Sequence, residues 1–272
     1  MKHAIMVIGY GKHADVLQKT INILDDYEID FFIHWDKRYN LPKLKAYESK
    51  IFFVSDRIAV KWGSGTLVKA TIKLMEAVDE KKEYDYVHLI SSNDMPLMTV
   101  DYFKTFFVKN AYLGFANVDS KILANRLKYY YPNNIDFRKY GKLALIIKYL
   151  NKMIGINRLR GKNLKIEKGP EWFSFEEKYI KEILSKNLNV FLNAYCADEL
   201  MVQTALSKLK TSKYKIINDC EQAARYIDWK RGGPYVFNTG DANELIDAVN
   251  THYAFARKVN DSKLIDLVFN NY

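Results

Sequence analysis

Two adjacent acids, Asp198 and Glu199, stand at the start of an apolar run whose spacing is typical of one helix face. A carboxylate at the mouth of a cleft can act as a general base, which removes the proton from a reacting hydroxyl. Acids in the first turn of a helix also offset the positive end of the helix dipole, and that role needs no ligand. Taken alone, the pair is more typical of the dipole role, and both interpretations stay open.

A tryptophan and two cations form a second group of candidates. Trp229 is flanked by Asp, Lys, Arg and two glycines, which predict a loop. An aromatic ring in such a loop can stack on a sugar. Arg257 and Lys258 follow a helix predicted over residues 242–256, where cations complement the helix dipole. The same two cations could hold a diphosphate through charge-assisted hydrogen bonds.

Three common signatures of cofactor and metal sites fit the sequence poorly. Gly9-Tyr10-Gly11 follows a predicted strand but lacks the third glycine of a dinucleotide-binding turn. The five histidines show no ligand spacing, so no zinc site is predicted. The chain contains no Asp-x-Asp, the usual metal-binding motif of enzymes that use sugar nucleotides. We therefore expect neither a metal nor a nicotinamide cofactor.

The hydrophobic pattern predicts an α/β scaffold for these candidates. Short apolar runs typical of buried parallel strands alternate with runs spaced like helices. Such a chain forms a mostly parallel sheet with helices on both faces, and ligands bind beyond the carboxyl ends of its strands. Asp36, residues 62–64 and Asp94 are expected at those ends. Strands are predicted over residues 4–9, 30–35, 51–54 and 84–90, and helices over 15–24, 65–78, 175–187, 197–209 and 242–256.

Basic residues are concentrated in one segment of the chain. The 272 residues carry a formal net charge of +10, and residues 121–168 alone hold thirteen basic and two acidic residues. The remainder is close to neutral. A basic, tyrosine-rich segment can bind nucleic acid by stacking and phosphate contacts, so a nucleic-acid-binding protein is one candidate.

The composition and cysteine count exclude several classes of protein. With 49% hydrophobic residues, the chain can bury a large core. This composition excludes an intrinsically disordered protein and a small protein that depends on disulfides for its stability. Cys196 and Cys220 match no metal pattern, and reduced thiols are expected. No apolar run approaches the ~20 residues of a membrane span. We also expect no signal peptide, because no cleavage site follows the first apolar run.

Eight short segments share a further pattern. They are residues 33–37 (IHWDK), 60–70 (VKWGSGTLVKA), 89–97 (LISSNDMPL), 171–175 (EWFSF), 197–199 (ADE), 228–230 (DWK), 239–241 (TGD) and 255–258 (FARK). In this order, and over nearly the whole chain, they resemble glycosyltransferase family 14. That family contains the core-2/I-branching β-1,6-N-acetylglucosaminyltransferases and the peptide O-xylosyltransferases. Each motif alone is weakly specific, whereas eight in order are strongly specific.

The resemblance implies a single GT-A-like α/β domain over residues 1–272. Such a domain transfers the sugar of a UDP-sugar without a metal and inverts the anomeric centre. Residues 1–110 would form the nucleotide-sugar half, and residues 111–272 the acceptor half with the basic insert 121–168. Glu199 falls on the family's catalytic base. For Asp94, ligand binding and loop shaping are equal alternatives. The residues assigned to the UDP-sugar are Asp36, Val60, Trp62, Asp94, Arg231 and Lys258.

The resemblance also implies an acceptor site. Trp229 matches an acceptor-stacking tryptophan, and Trp172, Asp119 and Arg126 are taken as further acceptor contacts. The membrane anchor, stem and disulfides of eukaryotic members have no counterpart in the sequence. We therefore expect a bacterial, cytoplasmic form of the enzyme.

The expected activity is transfer of a sugar from a UDP-sugar to a glycan hydroxyl, in the synthesis of cell-surface polysaccharide or lipooligosaccharide. GlcNAc is the first candidate for the sugar, ahead of xylose, glucose and galactose. The basic insert is expected to face anionic lipid or a lipid-linked glycan at the inner surface of the plasma membrane. No cofactor and no nucleic-acid partner is expected. The alternatives are a nucleic-acid-binding protein and an inactive scaffold with a glycosyltransferase fold.

Overall fold

The computed structural model describes residues 1–211 and 217–272 of the chain. Nine strands and eleven α-helices are present in these residues, with short 3-10 helices at Ala197–Glu199, Ser207–Leu209 and Thr239–Asp241. The strands are β1 (His3–Gly9), β2 (Ile29–Trp35), β3 (Ile51–Phe53), β4 (Tyr86–Ser91), β5 (Asp94–Pro96), β6 (Ala111–Tyr112), β7 (Ser174–Glu176), β8 (Arg225–Ile227) and β9 (Phe255–Arg257). The helices are α1 (Asp15–Ile23), α2 (Gly65–Asp79), α3 (Val100–Phe106), α4 (Ser120–Lys128), α5 (Gly141–Met153), α6 (Lys178–Leu184), α7 (Asn189–Leu192), α8 (Met201–Ala205), α9 (Asp219–Gln222), α10 (Ala242–Ile246) and α11 (Lys263–Asn270).

A six-stranded sheet of order β3-β2-β1-β4-β7-β6 forms the centre of the fold. Strands β3, β2, β1 and β4 are parallel, and β7 runs antiparallel to both of its neighbours. The central strands β1, β2 and β4 are buried along their whole length. This arrangement confirms the predicted α/β class and the mostly parallel sheet.

Helices cover both faces of this sheet because successive side chains of a strand point to opposite sides. Met6 of β1 packs into a core that includes Leu74 of α2, whereas Val7 packs into a second core that includes Leu17 of α1 and Phe103 of α3. The near-continuous apolar runs of the sequence are therefore those of strands buried on both faces.

A smaller sheet of order β5-β9-β8 lies beside the main one, and a buried arginine links the two. Arg225, at the start of β8, is 1% exposed. Its guanidinium donates to the carbonyl oxygens of Ala223, Leu89 and Phe173 and to the hydroxyl of Ser174, at distances of 2.7 to 3.2 Å. Carbonyl and hydroxyl oxygens thus satisfy both terminal nitrogens of this buried cation, whereas its Nε has no hydrogen-bond partner among the described residues.

Three of the helix predictions need correction. The helix predicted over residues 242–256 ends at Ile246, Asn250 adopts a left-handed conformation with φ of 55°, and residues 255–257 form β9. Pairing of β9 with both β5 and β8 overrides the helical spacing of its apolar residues. The helix predicted over 175–187 was wrong at its start, because residues 174–176 form β7, which pairs with β4. The helix α6 begins only at Lys178. The prediction over 197–209 is divided into two 3-10 helices around α8.

Two histidines form a buried chain of hydrogen bonds between β1 and β4. His3 Nδ1 lies 3.0 Å from His88 Nε2, and His88 Nδ1 lies 2.9 Å from the hydroxyl of Ser174. Both side chains are fully buried. Burial lowers the pKa of the His3 imidazole to about 4 and lowers the pKa of His88 well below its usual value. Both rings are thus neutral in the folded protein at neutral pH.

Because both histidines are buried and neutral, we expect the protein to lose folding stability in mild acid. A histidine whose pKa falls on folding contributes full stability above its unfolded pKa of about 6.5, and the contribution is lost as the pH falls below that value. For His3, with a folded pKa of about 4, the loss between pH 7 and pH 5 is roughly 2 kcal/mol. We expect His3→Gln to reduce the drop in free energy of unfolding between these pH values. Urea denaturation at both pH values measures it.

The exposed His13 supplies a matched control for this measurement. His13→Gln should leave the pH dependence of stability unchanged. Equal acid sensitivity of the wild type and His3→Gln would show that the buried pair does not control it.

No helix among the residues that the structure describes is long and apolar enough to cross a membrane. Cys196 and Cys220 are both buried free thiols.

Candidate active site

Asp36 lies at the carboxyl end of β2 and ties this end to the loop before α2. It is 1% exposed and accepts hydrogen bonds from Arg38, including one of 2.6 Å from Nη2. The backbone N–H of Val60 donates to the same carboxylate at 3.2 Å, and the Val60 carbonyl accepts from Arg38 at 2.7 Å. Asp36 and Val60 are therefore neighbours, as the predicted donor site requires, and Arg38 joins them.

The residues around Trp62 form a loop that contacts the segment of the catalytic candidates. The Trp62 ring is 40% exposed, and the guanidinium of Arg138 lies 4.9 Å from its centre. Gly63 has a φ of +71°, which favours glycine, and its carbonyl accepts a 2.9 Å hydrogen bond from the N–H of Cys196. This hydrogen bond joins the loop that carries two of the predicted UDP-sugar ligands, Val60 and Trp62, to the turn that carries Glu199.

Gly9-Tyr10-Gly11 has a packing role that explains its first glycine. A Cβ on Gly9 would lie 2.1 Å from the ring of Trp35, and Trp35 Nε1 donates to the Gly11 carbonyl at 3.2 Å. The tryptophan of β2 thus occupies the space that a side chain at residue 9 would need.

Asp94 follows β4 and is 1% exposed. It accepts hydrogen bonds from the N–H of Ser91 at 2.7 Å, from the Ser91 hydroxyl at 2.8 Å and from Arg257 Nη1 at 2.7 Å. The Arg257 guanidinium lies 4.1 Å from the centre of the Trp172 ring. These contacts favour the loop-shaping interpretation of Asp94. They also give Trp172, which is only 7% exposed, a supporting position beneath Arg257.

Lys258 extends from the end of β9 to the end of β1. Its Nζ lies 2.9 Å from the hydroxyl of Tyr10, and that hydrogen bond is exposed. A cavity of about 250 Å³ adjoins this loop, between the carboxyl ends of β1 and β4. Its lining includes residues 10–16 together with Ser92, Asn93 and Asn260. A cation beside a cavity at this edge of the sheet is placed where an anionic ligand of a parallel sheet binds.

Arg231, the other predicted diphosphate ligand, is surrounded by acids. Its guanidinium forms ion pairs with Asp228, with Asp241 at 3.1 Å and with Glu244 at 2.7 Å. Its hydrogen-bonding capacity is thus largely used within the protein, and it would have to exchange these partners to bind a phosphate. Its role in donor binding stays a prediction.

Glu199 is held by two cations from the basic insert. Its Oε2 lies 2.6 Å from Arg126 Nη1 and 3.4 Å from Lys168 Nζ, and the side chain is 34% exposed. Among the described residues, Oε1 has no hydrogen-bond partner. One carboxylate oxygen is thus fixed in place while the other remains free to accept a proton, which is the geometry that a general base needs.

Asp198 and Glu171 lie beside Glu199 in a more buried environment. Asp198 Oδ1 and Glu171 Oε1 are inaccessible to solvent and have no hydrogen-bond partner among the described residues. Burial, followed by the charge of Glu199, raises the pKa of the Asp198 carboxyl to about 7. Burial also raises the pKa of Glu171 well above its usual value. Of the two adjacent acids, Glu199 is therefore the one that is both accessible and ion-paired.

The remaining acceptor candidates lie at separate places. Trp229 is 59% exposed in a loop, as predicted, and its Nε1 lies 3.4 Å from the sulfur of Cys220. Asp119 accepts from the N–H of Lys121 at 2.8 Å and caps α4, the helix that carries Arg126. Asp119 therefore has a structural role in positioning Arg126.

Sequence reasoning missed Arg38, Lys168 and Arg257 as partners of the three site carboxylates. Arg38 could have been found, since it stands two residues after Asp36. Lys168 is separated from Glu199 by 31 positions and gave no signal in the sequence.

The described residues contain no group of three or more His, Cys, Asp or Glu side chains that could hold a metal ion. Metal independence stays a prediction. A larger cavity of about 840 Å³ lies at the β6 edge of the sheet and includes none of the predicted site residues in its lining.

Comparison with known proteins gives two findings. A family model described as Core-2/I-Branching enzyme matches residues 4–245. Xylosyltransferase sqv-6 of Caenorhabditis elegans is 22% identical over 273 residues, which cover 88% of this chain and 32% of the relative. This chain therefore spans about a third of the length of that relative.

Proposed function

We propose, from the premise that this chain belongs to the Core-2/I-branching enzyme family and is a glycosyltransferase, that it transfers sugar from a UDP-sugar with inversion and without a metal. The acceptor would be a glycan hydroxyl in cell-surface polysaccharide or lipooligosaccharide synthesis. The observation that carries this proposal is the position of Glu199, which has one oxygen bound to Arg126 and Lys168 and the other free.

In the proposed reaction, Glu199 takes the proton of the acceptor hydroxyl as its oxygen attacks the anomeric carbon. The bond from that carbon to the diphosphate oxygen breaks, and UDP leaves with the electron pair. Attack opposite the leaving group inverts the anomeric centre. Lys258 supports this step, since a cation beside the diphosphate stabilises the charge that develops on the leaving group.

The candidate donor sugars are proposed in an order of preference. GlcNAc comes first from the resemblance to the branching enzymes, and xylose comes second because the matched relative is named as a xylosyltransferase. Glucose and galactose follow. The basic insert is proposed to face an anionic membrane surface or lipid-linked glycan, because it carries thirteen of the chain's basic residues.

A thermal-shift screen with UDP and UDP-sugars, in EDTA or with Mn²⁺, tests the proposal. A ligand that binds only the folded state at a hundredfold excess over Kd stabilises it by about 2.7 kcal/mol, which raises Tm by several degrees. We expect the shift to be equal with EDTA and with Mn²⁺. A shift that requires Mn²⁺ would overturn metal independence, and the absence of any shift would overturn the use of UDP.

A further inference from the structure

Helix α5 exposes its apolar side chains to solvent. Leu145, Ile146, Tyr149, Leu150 and Met153 are each between 51% and 81% exposed. They recur at spacings of three and four residues, so they form one stripe, which we call the apolar face of α5. The only buried residues of the helix are Ala144 and Asn151, on its opposite side. This orientation is the reverse of that of an ordinary surface helix, whose apolar stripe faces the core.

Cations surround this stripe. Lys142, Lys148 and Lys152 belong to the helix itself, and Arg138 and Lys139 precede it. Among the described residues, none of the five forms an ion pair with a carboxylate. An apolar helix face bordered by cations without carboxylate partners fits the interface of an anionic bilayer, where apolar side chains reach the acyl chains and cations meet the headgroups. Two copies of this face, in contrast, would bring like charges together across a symmetric contact.

The apolar face of α5 is also connected to the candidate base. A crevice of about 190 Å³ between α4 and α5 is lined by Leu145 and Lys148 of α5, by Arg126 of α4 and by Tyr195. Arg126 holds Glu199 at 2.6 Å. An acceptor that reaches Glu199 along this crevice would therefore enter from the side of α5.

We propose that the apolar face of α5 inserts into the interface of an anionic membrane and so presents the base to membrane-linked acceptors. The presentation of the base rests on the proposed sugar transfer. Insertion of the apolar face extends the proposed contact of the basic insert with an anionic surface, and it does not require sugar transfer. Insertion differs from attraction by charge alone, because apolar burial persists at salt concentrations that screen the lysines.

Vesicle binding of the full chain tests the inference, with phosphatidylcholine vesicles that contain or lack phosphatidylglycerol. We expect the wild type to bind the anionic vesicles more tightly than the neutral ones at low salt, and to retain part of its binding at about 1 M NaCl, where the Debye length is ~3 Å. Ile146→Ser with Leu150→Ser and Met153→Ser should lower the partition coefficient at least about tenfold at both salt concentrations. Replacement of Lys139, Lys142, Lys148 and Lys152 by Gln should lower it chiefly at low salt.

Tyr47→Ser is the matched control, since Tyr47 is 96% exposed in the connection between β2 and β3. Its vesicle binding should equal that of the wild type. The inference is overturned if the wild type does not bind anionic vesicles, or if the triple serine variant binds as tightly as the wild type. A dimer in sedimentation velocity that the triple variant abolishes would also overturn it, in favour of self-association. UDP-induced stabilisation of each variant shows that its donor site is folded. Absence of that stabilisation in the wild type, with intact vesicle binding, would contradict only the proposed sugar transfer.

Discussion

Replacing Glu199 by glutamine should lower kcat by about 10²–10⁴-fold while leaving the affinity for UDP near the wild-type value. The amide keeps the shape of the side chain, and its oxygen can still accept the hydrogen bond from Arg126. It cannot take the proton of the acceptor hydroxyl. The rate of UDP release in the presence of acceptor measures the first quantity, and calorimetric titration with UDP measures the second.

A variant of the neighbouring acid, Asp198, shows which of the two carboxylates is the base. Asp198→Asn alters a carboxyl with a buried, unpartnered oxygen and a raised pKa, and we expect it to cost less than Glu199→Gln. Glu221→Gln, at a residue of α9 outside the candidate site, should retain wild-type turnover. If Asp198→Asn caused the larger loss, the base would be Asp198. Turnover near the wild-type rate in Glu199→Gln would contradict the assignment of a base to this turn.

The second large effect is expected for Lys258→Ala, which should weaken UDP binding by about 10- to 150-fold. This range corresponds to the loss of one charge-assisted hydrogen bond of ~1.5–3 kcal/mol. The affinity for uridine, which has no phosphate, should change little. Calorimetric titration of the variant with UDP and with uridine separates a phosphate contact from a general disturbance of the site.

Two neighbouring cations provide the comparison. Lys230→Ala removes an exposed charge of the adjacent loop and should leave both affinities unchanged. Arg231→Ala removes the partner of Asp228, Asp241 and Glu244, so it leaves three acids close together and should lower Tm even without UDP. A selective loss of UDP affinity in Arg231→Ala would establish it as a phosphate ligand. Unchanged UDP affinity in Lys258→Ala would exclude the lysine from that role.

The part of the fold that follows from local pattern was predictable. Strands β1 to β4 and helices α1 and α2 lie within two residues of their predicted bounds. The central strands β1, β2 and β4 are buried on both faces, so they read as apolar runs in the sequence. The strand ends therefore brought Asp36 and Asp94 to the predicted edge of the sheet. The short strand β9 was not predictable in this way, since three residues carry no usable period and their pairing with β5 and β8 depends on distant parts of the chain.

The candidate site was predictable in its carboxylates and not in their partners. A short acidic motif such as that of Glu199 consists of adjacent residues, so it can be recognised in the sequence alone. The cations that hold it, Arg126 and Lys168, lie 73 and 31 positions away and are brought near by tertiary structure. For the same reason, the sequence could not distinguish Lys258, which hydrogen-bonds to the neutral hydroxyl of Tyr10, from Arg231, which is already ion-paired with three acids.

The pairing of the strands has a consequence for engineering new specificity. The segment after residue 110 supplies β6 and β7 to the main sheet and β9 to the sheet that contains β5. Arg225 then bonds to carbonyl oxygens of both β4 and the segment that leads into β7. The two predicted halves are therefore interleaved, and a chimera joined near residue 110 would need compatible strand partners at every one of these contacts. Exchangeable units in this protein are surface segments such as α5 and its flanking loops, which leave both sheets whole.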